Sequence, residues 1–467
     1  MYGDLEDITS MIQTAILLAA GVGGRFWPYN VVRNKCAFPI ANVPAIRRLS
    51  DDLAALGVTR QVVVVGAGEA SVRAALRGAA AEVVFVRQAH PEGTAAAALL
   101  GAASVDGDFL VVAGDLVTDR ANLAALRDRF EHDRPLAAAL VQPLGAESSL
   151  DWLIPFVENG VLRGVEGHSR DGDRRFCGVY AFRPEAIPFL RDNPALVRVG
   201  VGGMPPVDAE IVQSLQMMVD EGETVATVDA PGFHVDLDKP WHILEANERV
   251  IGAMAAALDG DRIDPTARVH DGADIHGRLA LGPGAEIGNR VVVDGDLWLG
   301  AGAKALNGAI IQGRAVVGRE TVLRDYCQIG GNSSLGARGV YGHGAEFSGV
   351  ALDTVYCYHY CEIWGVAGMA VDFGAATVCG NLRFDDRETV WRINGRPEIP
   401  TTAANAAYFG DFCRTGVNAI IMPGRRLGAY SICGPGVILR DDLPDRTLVM
   451  VEQQVTTRPW GPERYGW

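Results

Sequence analysis

Ile275-His-Gly-Arg-Leu-Ala-Leu281-Gly-Pro-Gly-Ala-Glu-Ile287-Gly-Asn-Arg-Val-Val-Val293-Asp-Gly-Asp-Leu-Trp-Leu299 returns an aliphatic residue at every sixth position. The step extends in both directions, from Ile263 to Leu335, over thirteen consecutive positions that are often followed by glycine. Neither a helix, with its 3.6-residue period, nor an ordinary half-buried strand, with its period of two, produces such a step. A solenoid does, because each flat face takes one hexapeptide, the apolar residue points into the shaft, and the small residue after it permits a tight corner. A second block, Phe409, Thr415, Ile421, Leu427, Cys433 and Leu439, keeps the same step. Between the blocks, 383–408 breaks phase and contains Arg396-Pro-Glu-Ile-Pro400, as an external loop would. The spacing therefore predicts a parallel β-helix over 263–440, left-handed, followed by a C-terminal tail, 441–467, without a period.

Upstream, from about Thr14 to Asn247, short apolar runs alternate with Ala-rich stretches. Ala15–Ala20, Gln61–Val65, Val83–Val86, Phe109–Ala113 and Ala137–Val141 read as buried strands, and Ala45–Leu56, Ala70–Gly78 and Thr94–Ala103 as helices. Buried strands with helical crossovers predict a Rossmann-like, mostly parallel three-layer α/β sheet. The first domain is expected to span 1–250. Pro240–Leu258 reads as a helix leading the chain out of it, and 251–262 is expected to act as the linker.

The 467 residues are 48% hydrophobic and 21% charged, a globular composition with room for several domains. A formal net charge of −15 repels phosphate backbones and anionic bilayers, so neither nucleic acid nor membrane is an expected partner. The acidic start and the lack of any apolar run near the roughly 18 residues that span a bilayer predict a cytoplasmic protein. Eight scattered cysteines without a CxxC pair read as reduced core residues. Only Lys35, Lys239 and Lys304 are lysine, whereas arginine fills the other basic positions. A lysine retained against that background suggests a role that arginine cannot fill.

Leu17-Leu-Ala-Ala-Gly21-Val-Gly23-Gly24-Arg25-Phe-Trp-Pro28 follows directly on the first predicted strand. Its glycines let backbone N–H groups turn toward an anion, and Arg25 adds a guanidinium that can fork onto phosphate. A structural turn would use the same glycines. Lys35 follows ten residues later, Gln88 precedes Gly93-Thr94, Asp115 closes a strand, and Glu166, Phe176-Cys-Gly178 and His234-Val-Asp236-Leu-Asp238-Lys239 come after. Singly, each has a plain alternative. Asp115 could start a turn, Lys35 and Glu166 could sit on the solvated surface, Gln88 could lie on an exposed loop, and Asp238 with Lys239 could form a local ion pair.

In this order and spacing the segments resemble the sugar-1-phosphate nucleotidyltransferases, over about the first 250 residues. The resemblance implies that Leu18, Ala19, Ala20, Gly21, Gly23, Gly24 and Arg25 surround the triphosphate and that Lys35 contacts phosphates on the reacting side. It implies that Gln88, Gly93 and Thr94 read a uracil or thymine base, that Asp115 and Asp236 hold Mg²⁺, and that Glu166, Gly178 and Lys239 bind the sugar. The implied reaction joins an NTP, UTP or dTTP, to a sugar 1-phosphate, giving an NDP-sugar and pyrophosphate. Three positions depart from the family pattern: Gly24 replaces a usual Thr, bulky Phe176 precedes Cys177-Gly178, and Asp151-Trp152-Leu153 stands where Tyr-Gly is common. These departures alter the sugar side more than the nucleotide side.

With the β-helix included, nearly the whole chain resembles the archaeal-type bifunctional nucleotidylyltransferase/acetyltransferase family. That implies a homotrimer and a second reaction in which acetyl-CoA acylates an amino-sugar phosphate, with a histidine as base. Ungapped alignment from Phe373 puts Tyr358 at the histidine position; a one-residue slip restores His359, and Asn381 matches directly. Cys357, His359 and Cys361 alternate and could share a strand face as metal ligands. Two rival readings are an acetyltransferase with a degenerate first half and a non-catalytic nucleotide-sugar-binding scaffold.

Overall fold

Six residues that resist water, Thr14–Ala19, form β1 near the middle of a nine-stranded sheet in the computed structural model, which describes residues 12–145, 147–167, 171–195 and 208–464. β2 (Pro39–Ile40) and β3 (Val43–Pro44) make a small hairpin outside that sheet. β4 (Arg60–Val65), β5 (Glu82–Arg87) and β6 (Phe109–Ala113) run parallel to β1, within a residue of the expected bounds. β7 (Leu116–Thr118) leaves the sheet and later pairs with β13 (His234–Asp236). The order is completed by β8 (Ala137–Pro143), β9 (Leu153–Glu158), β10 (Val161–Gly167), β11 (Arg174–Phe182) and β12 (Val225–Asp229), giving β5-β4-β1-β6-β11-β8-β12-β10-β9.

The sheet is mixed rather than mostly parallel. β11 runs antiparallel to both β6 and β8, and β10 runs antiparallel to β12 and β9. Continuous apolar runs mark strands buried on both faces, and that signal finds the parallel half. β10 instead alternates on either side of a bulge at 163–164: Leu162 is buried beside exposed Arg163, and Val165 and Gly167 are buried with Glu166 half-buried between them. One face of the sheet packs on α1 (Ala45–Ala55), α2 (Glu69–Ala75) and α4 (Arg120–Asp133), the other on α3 (Thr94–Ala102), α5 (Ile187–Arg191) and α6 (Ile211–Asp220). α7 (His242–Ala256) follows, and residues 251–256, expected in a linker, are its last turns: Ile251 is fully buried at the junction with the second half.

That second half is a parallel β-helix. Ile263, Leu281, Leu299, Val317 and Leu335 pair in succession, eighteen residues per coil, and the side chains from Leu281 onward stack in one apolar column. After Leu335 the coil shortens to sixteen, with Leu335 paired to Ala351 and Ala351 to Ala367. Strands Glu346–Ala351 and Glu362–Ala367 run straight through a corner that Gly349 and Gly365 turn at φ +122° and +146°. A Cβ on Gly365 would lie 1.8 Å from the Ala407 carbonyl oxygen, so no larger residue fits there. The hexad pattern therefore lapses through loss of two residues per coil, not through loss of the fold. The coils also continue past 440, where Cys433 pairs with Val449.

The two halves are docked along a buried seam. Tyr29 donates to the Val366 carbonyl (2.8 Å), Asn42 to that of Leu335 (2.7 Å) and Asn247 to that of Asn332 (2.7 Å). Arg33 forks onto fully buried Asp411, which also accepts from the Met369 N–H (2.8 Å). Asp411→Ala would strand this guanidinium in the seam, and the expected loss is about 3–5 kcal/mol of unfolding free energy by denaturant titration. A loss below about 1 kcal/mol would show that water reaches Arg33.

Candidate active site

Asn34 organises the loop that follows β1. Its side-chain amide donates to the Ala19 and Ala67 carbonyls (3.1 and 3.0 Å), and its carbonyl oxygen accepts from the Cys36 N–H (3.0 Å). The next residue, Lys35, is thereby aimed along the C-terminal ends of β1 and β6, with its stem under Gly23, whose φ is +65°. Nothing in the sequence reading marked Asn34; its signal is an amide beside a lone lysine.

Lys35 pairs with Asp115, at the end of β6. Asp236 lies alongside: it pairs in register with Leu116, and the Leu237 N–H donates to the Asp115 carbonyl (3.1 Å). Residues far apart in sequence thus converge because β13 adds to β7. Oδ1 of Asp236 is buried without a hydrogen-bond partner. Burial and then repulsion by Asp115 push the Asp236 carboxyl up. For Lys35, burial works against the ammonium, but Asp115, Asp236 and Asp238 outweigh it and hold the lysine above its ordinary range. Asp238 also takes the Arg25 guanidinium (2.8 Å). Asp115 and Asp236 are the pair that could hold a divalent cation.

All of these groups line one cleft of about 1040 Å³. Leu18, Ala20, Gly21, Arg25, Lys35, Gln88, Gly93, Thr94, Asp115, Gly178, Asp236 and Lys239 border it. Ala19 does not, being buried beneath the loop with its carbonyl bonded to Asn34. Gly23 and Gly24 form the outer turn of the loop and also lie outside the lining. Gly93 and Thr94 face it but are already engaged. Gly93 has φ +101° and a Cβ there would meet the Ala209 backbone at 2.4 Å, while the Thr94 hydroxyl donates to Glu210 (2.6 Å) and accepts from the Ile211 N–H (2.8 Å). Thr94 shapes the wall by capping the start of α6, and Gly93 by admitting the Ala209 backbone.

Glu166, expected at the sugar, does not line the cleft, because the bulge after Leu162 and the strand alternation of β10 turn it to the face opposite Val165. The carboxylate offered there instead is Glu147, held by Arg175 (2.7 Å), whose guanidinium stacks 3.9 Å from the Trp152 ring centre. His242 also lines the cleft and was not foreseen. Burial pulls its pKa down to about 4, and its Nδ1 accepts from the Lys239 N–H, so it stays neutral. In all, seven carboxylates and four cationic side chains border the cleft. Two polyanionic reactants could share it only with added positive charge.

The segment 383–408 is external only in part: 383–388 are exposed, but strands Trp391–Ile393 and Arg396–Glu398 form a hairpin whose Arg396, Pro397 and Glu398, with Ile399 and Thr401 beyond it, line the same cleft. Lys239 pairs with Glu398 of this hairpin, across the two halves.

On the β-helix, His359 sits at a corner with φ +54°, exposed. Its Nδ1 is 2.6 Å from His343 Nδ1, one coil earlier, and the Tyr360 hydroxyl is 3.1 Å from His343 Nε2. Tyr358 instead donates to Asp325 (2.6 Å), and Asn381 is exposed. His343 was not foreseen, although the sixteen-residue coil stacks it on His359. Cys357 and Cys361 are buried in the shaft, so the three alternating residues do not share a face.

Residues 15–177 match the MobA-like NTP transferase domain. Over 94% of its length the chain is 24% identical to a "Bifunctional protein GlmU" of Methanococcus maripaludis, of which the match covers 98%. It is also 24% identical over 92% of its length to a bifunctional sugar-1-phosphate nucleotidylyltransferase/acetyltransferase of Sulfurisphaera tokodaii, again covering 98% of that protein. A glucose-1-phosphate thymidylyltransferase of Streptomyces antibioticus is 26% identical over 59% of this chain and 74% of its own. Among the described residues no helix is long and apolar enough to cross a membrane.

Proposed function

We propose that this chain, a homologue of the bifunctional sugar-1-phosphate nucleotidylyltransferase/acetyltransferases, transfers a nucleotidyl group from UTP or dTTP to a sugar 1-phosphate. The observation that carries the reading is the joint placement of Lys35, Asp115 and Asp236, with the unpartnered Asp236 oxygen, beside the glycine loop. A phosphate oxygen of the sugar 1-phosphate attacks the α-phosphorus, forming one P–O bond as the bond to pyrophosphate breaks on the opposite side. No protein nucleophile is needed.

Two adjacent buried carboxylates, one with an unsatisfied oxygen, suit Mg²⁺, a hard cation that takes oxygen ligands. Bound by Asp115 and Asp236, it supplies charge neutralisation to the phosphates. Arg25, exposed and paired with Asp238 at the mouth, can swing onto the triphosphate. Lys35, fully charged, faces the reacting phosphates and stabilises the charge that builds as pyrophosphate leaves. Gln88 offers a donor and an acceptor to a pyrimidine edge.

The test is a matrix of NTPs against sugar 1-phosphates with Mg²⁺, read as pyrophosphate release. Release above background with at least one pair is expected; none with any pair would leave the binding-scaffold reading. Acetyl transfer from acetyl-CoA to an amino-sugar phosphate is a second reading, favoured by the exposed, hydrogen-bonded His343–His359 pair. Thiol release in an Asp236→Asn background would measure it free of the first reaction. The exposed Ile420, Ile432, Ile438 and Leu448 on the outer faces of the last coils support a homotrimer, which sedimentation would test.

A further inference from the structure

A hairpin, 391–398, crosses from the β-helix into the cleft. Its base is clamped. Trp391 packs edge-on against Trp241 (5.1 Å between ring centres) and Tyr408 (4.9 Å), and its indole N–H donates to the Ala404 carbonyl (2.9 Å). Arg426, forked onto Asp442, lies over the Trp391 ring and donates to the Arg392 carbonyl (3.2 Å). The tip is the two-residue turn Asn394-Gly395, both with positive φ, a combination that fixes strand register. Glu398, in register with Trp391, is therefore placed by a rigid frame rather than by a loose loop.

Its partner Lys239 lies three residues beyond Asp236 and above the Trp241 ring (5.4 Å). Both side chains are largely buried, 12% and 14% exposed, yet both line the cleft. A lone carboxylate here would repel the incoming phosphates. Paired with Lys239 it does not, and the ammonium keeps N–H donors beyond the one given to Glu398. The pair thus offers an anion donor and a hydroxyl acceptor side by side. Both reactants carry phosphate and hydroxyl groups, but on the nucleotidyl-transfer reading the glycine loop and Gln88 engage the nucleotide, which leaves the sugar 1-phosphate to this pair. The carboxylate expected for those hydroxyls, Glu166, lies outside the cleft.

We infer that Glu398, delivered by the β-helix hairpin and neutralised by Lys239, selects the sugar 1-phosphate by accepting a hydrogen bond from a ring hydroxyl. The inference rests on the nucleotidyl-transfer reading, and it makes the β-helix part of that site.

The test compares the full-length parent, Glu398→Gln and Glu398→Asp with glucose, galactose, mannose, glucosamine and N-acetylglucosamine 1-phosphates. For Glu398→Gln, KM for the preferred sugar is expected to rise at least about tenfold and the ranking of sugars to flatten, with KM for the NTP within about twofold of the parent. Glu398→Asp, keeping the charge on a shorter stem, should fall between the two. A merely structural role would move both substrates together, so an equal rise in the KM of the NTP would overturn the inference. An active parent with sugar KM values unchanged in both variants would also overturn it while leaving nucleotidyl transfer intact. A parent that releases no pyrophosphate with any pair would overturn the nucleotidyl-transfer reading and, with it, this one.

Discussion

Lys35→Ala is expected to cut nucleotidyl turnover by at least about a hundredfold, the scale for removing one charge partner of a transition state. Asp115, Asp236 and Asp238 jointly hold the ammonium in its charged form. Its loss leaves those carboxylates to repel each other and the entering phosphates, and because a competing cation has gone, the Mg²⁺ titration should not move to higher concentration. Lys35→Arg is not expected to restore the rate. A guanidinium is planar, bulkier and longer than the ammonium that Lys35 sets against Asp115, and it forks across two oxygens instead of pointing at one. Steady-state kinetics at saturating substrates measures both variants. A Lys35→Ala enzyme within tenfold of the parent would remove Lys35 from the reaction.

Asp236→Asn should fall at least as far, again about a hundredfold or more in kcat, and should shift the Mg²⁺ titration to higher concentration. The substitution keeps size and shape but replaces a charged oxygen ligand by an amide. Asp236 is the cleaner choice of the two carboxylates, because Asp115→Asn also removes the partner of Lys35 and would mix two effects. Since the Asp236 side chain is buried and repelled by its neighbour, the Asn protein without metal should be at least as stable as the parent. Loss of rate without loss of thermal stability separates a role at the reacting phosphates from a role in folding. A parent-like Mg²⁺ titration would dismiss Asp236 as a metal ligand.

Particular residues show where sequence reasoning succeeded and where it stopped. The hexad step revealed the β-helix because every inward residue obeys one local rule. It failed between Leu335 and Phe409, where sixteen-residue coils obey a different local rule and a hairpin interrupts them. Lys35 and the two aspartates stood out through composition and motif order. Asn34, Glu147 and His242 did not, since their importance lies in partners distant along the chain. Glu166 misled because a single strand bulge, invisible to periodicity, decides which way it points.

Two repeating architectures and a glycine loop after the first strand were written in local patterns, and local patterns are legible from one sequence because backbone geometry repeats at short range. How the halves dock was not. The seam depends on single long-range pairs such as Arg33 with Asp411 and Lys239 with Glu398, separated by well over a hundred residues and without a period. Only the folded chain brings them within reach, and only there does a β-helix hairpin become one wall of the cleft.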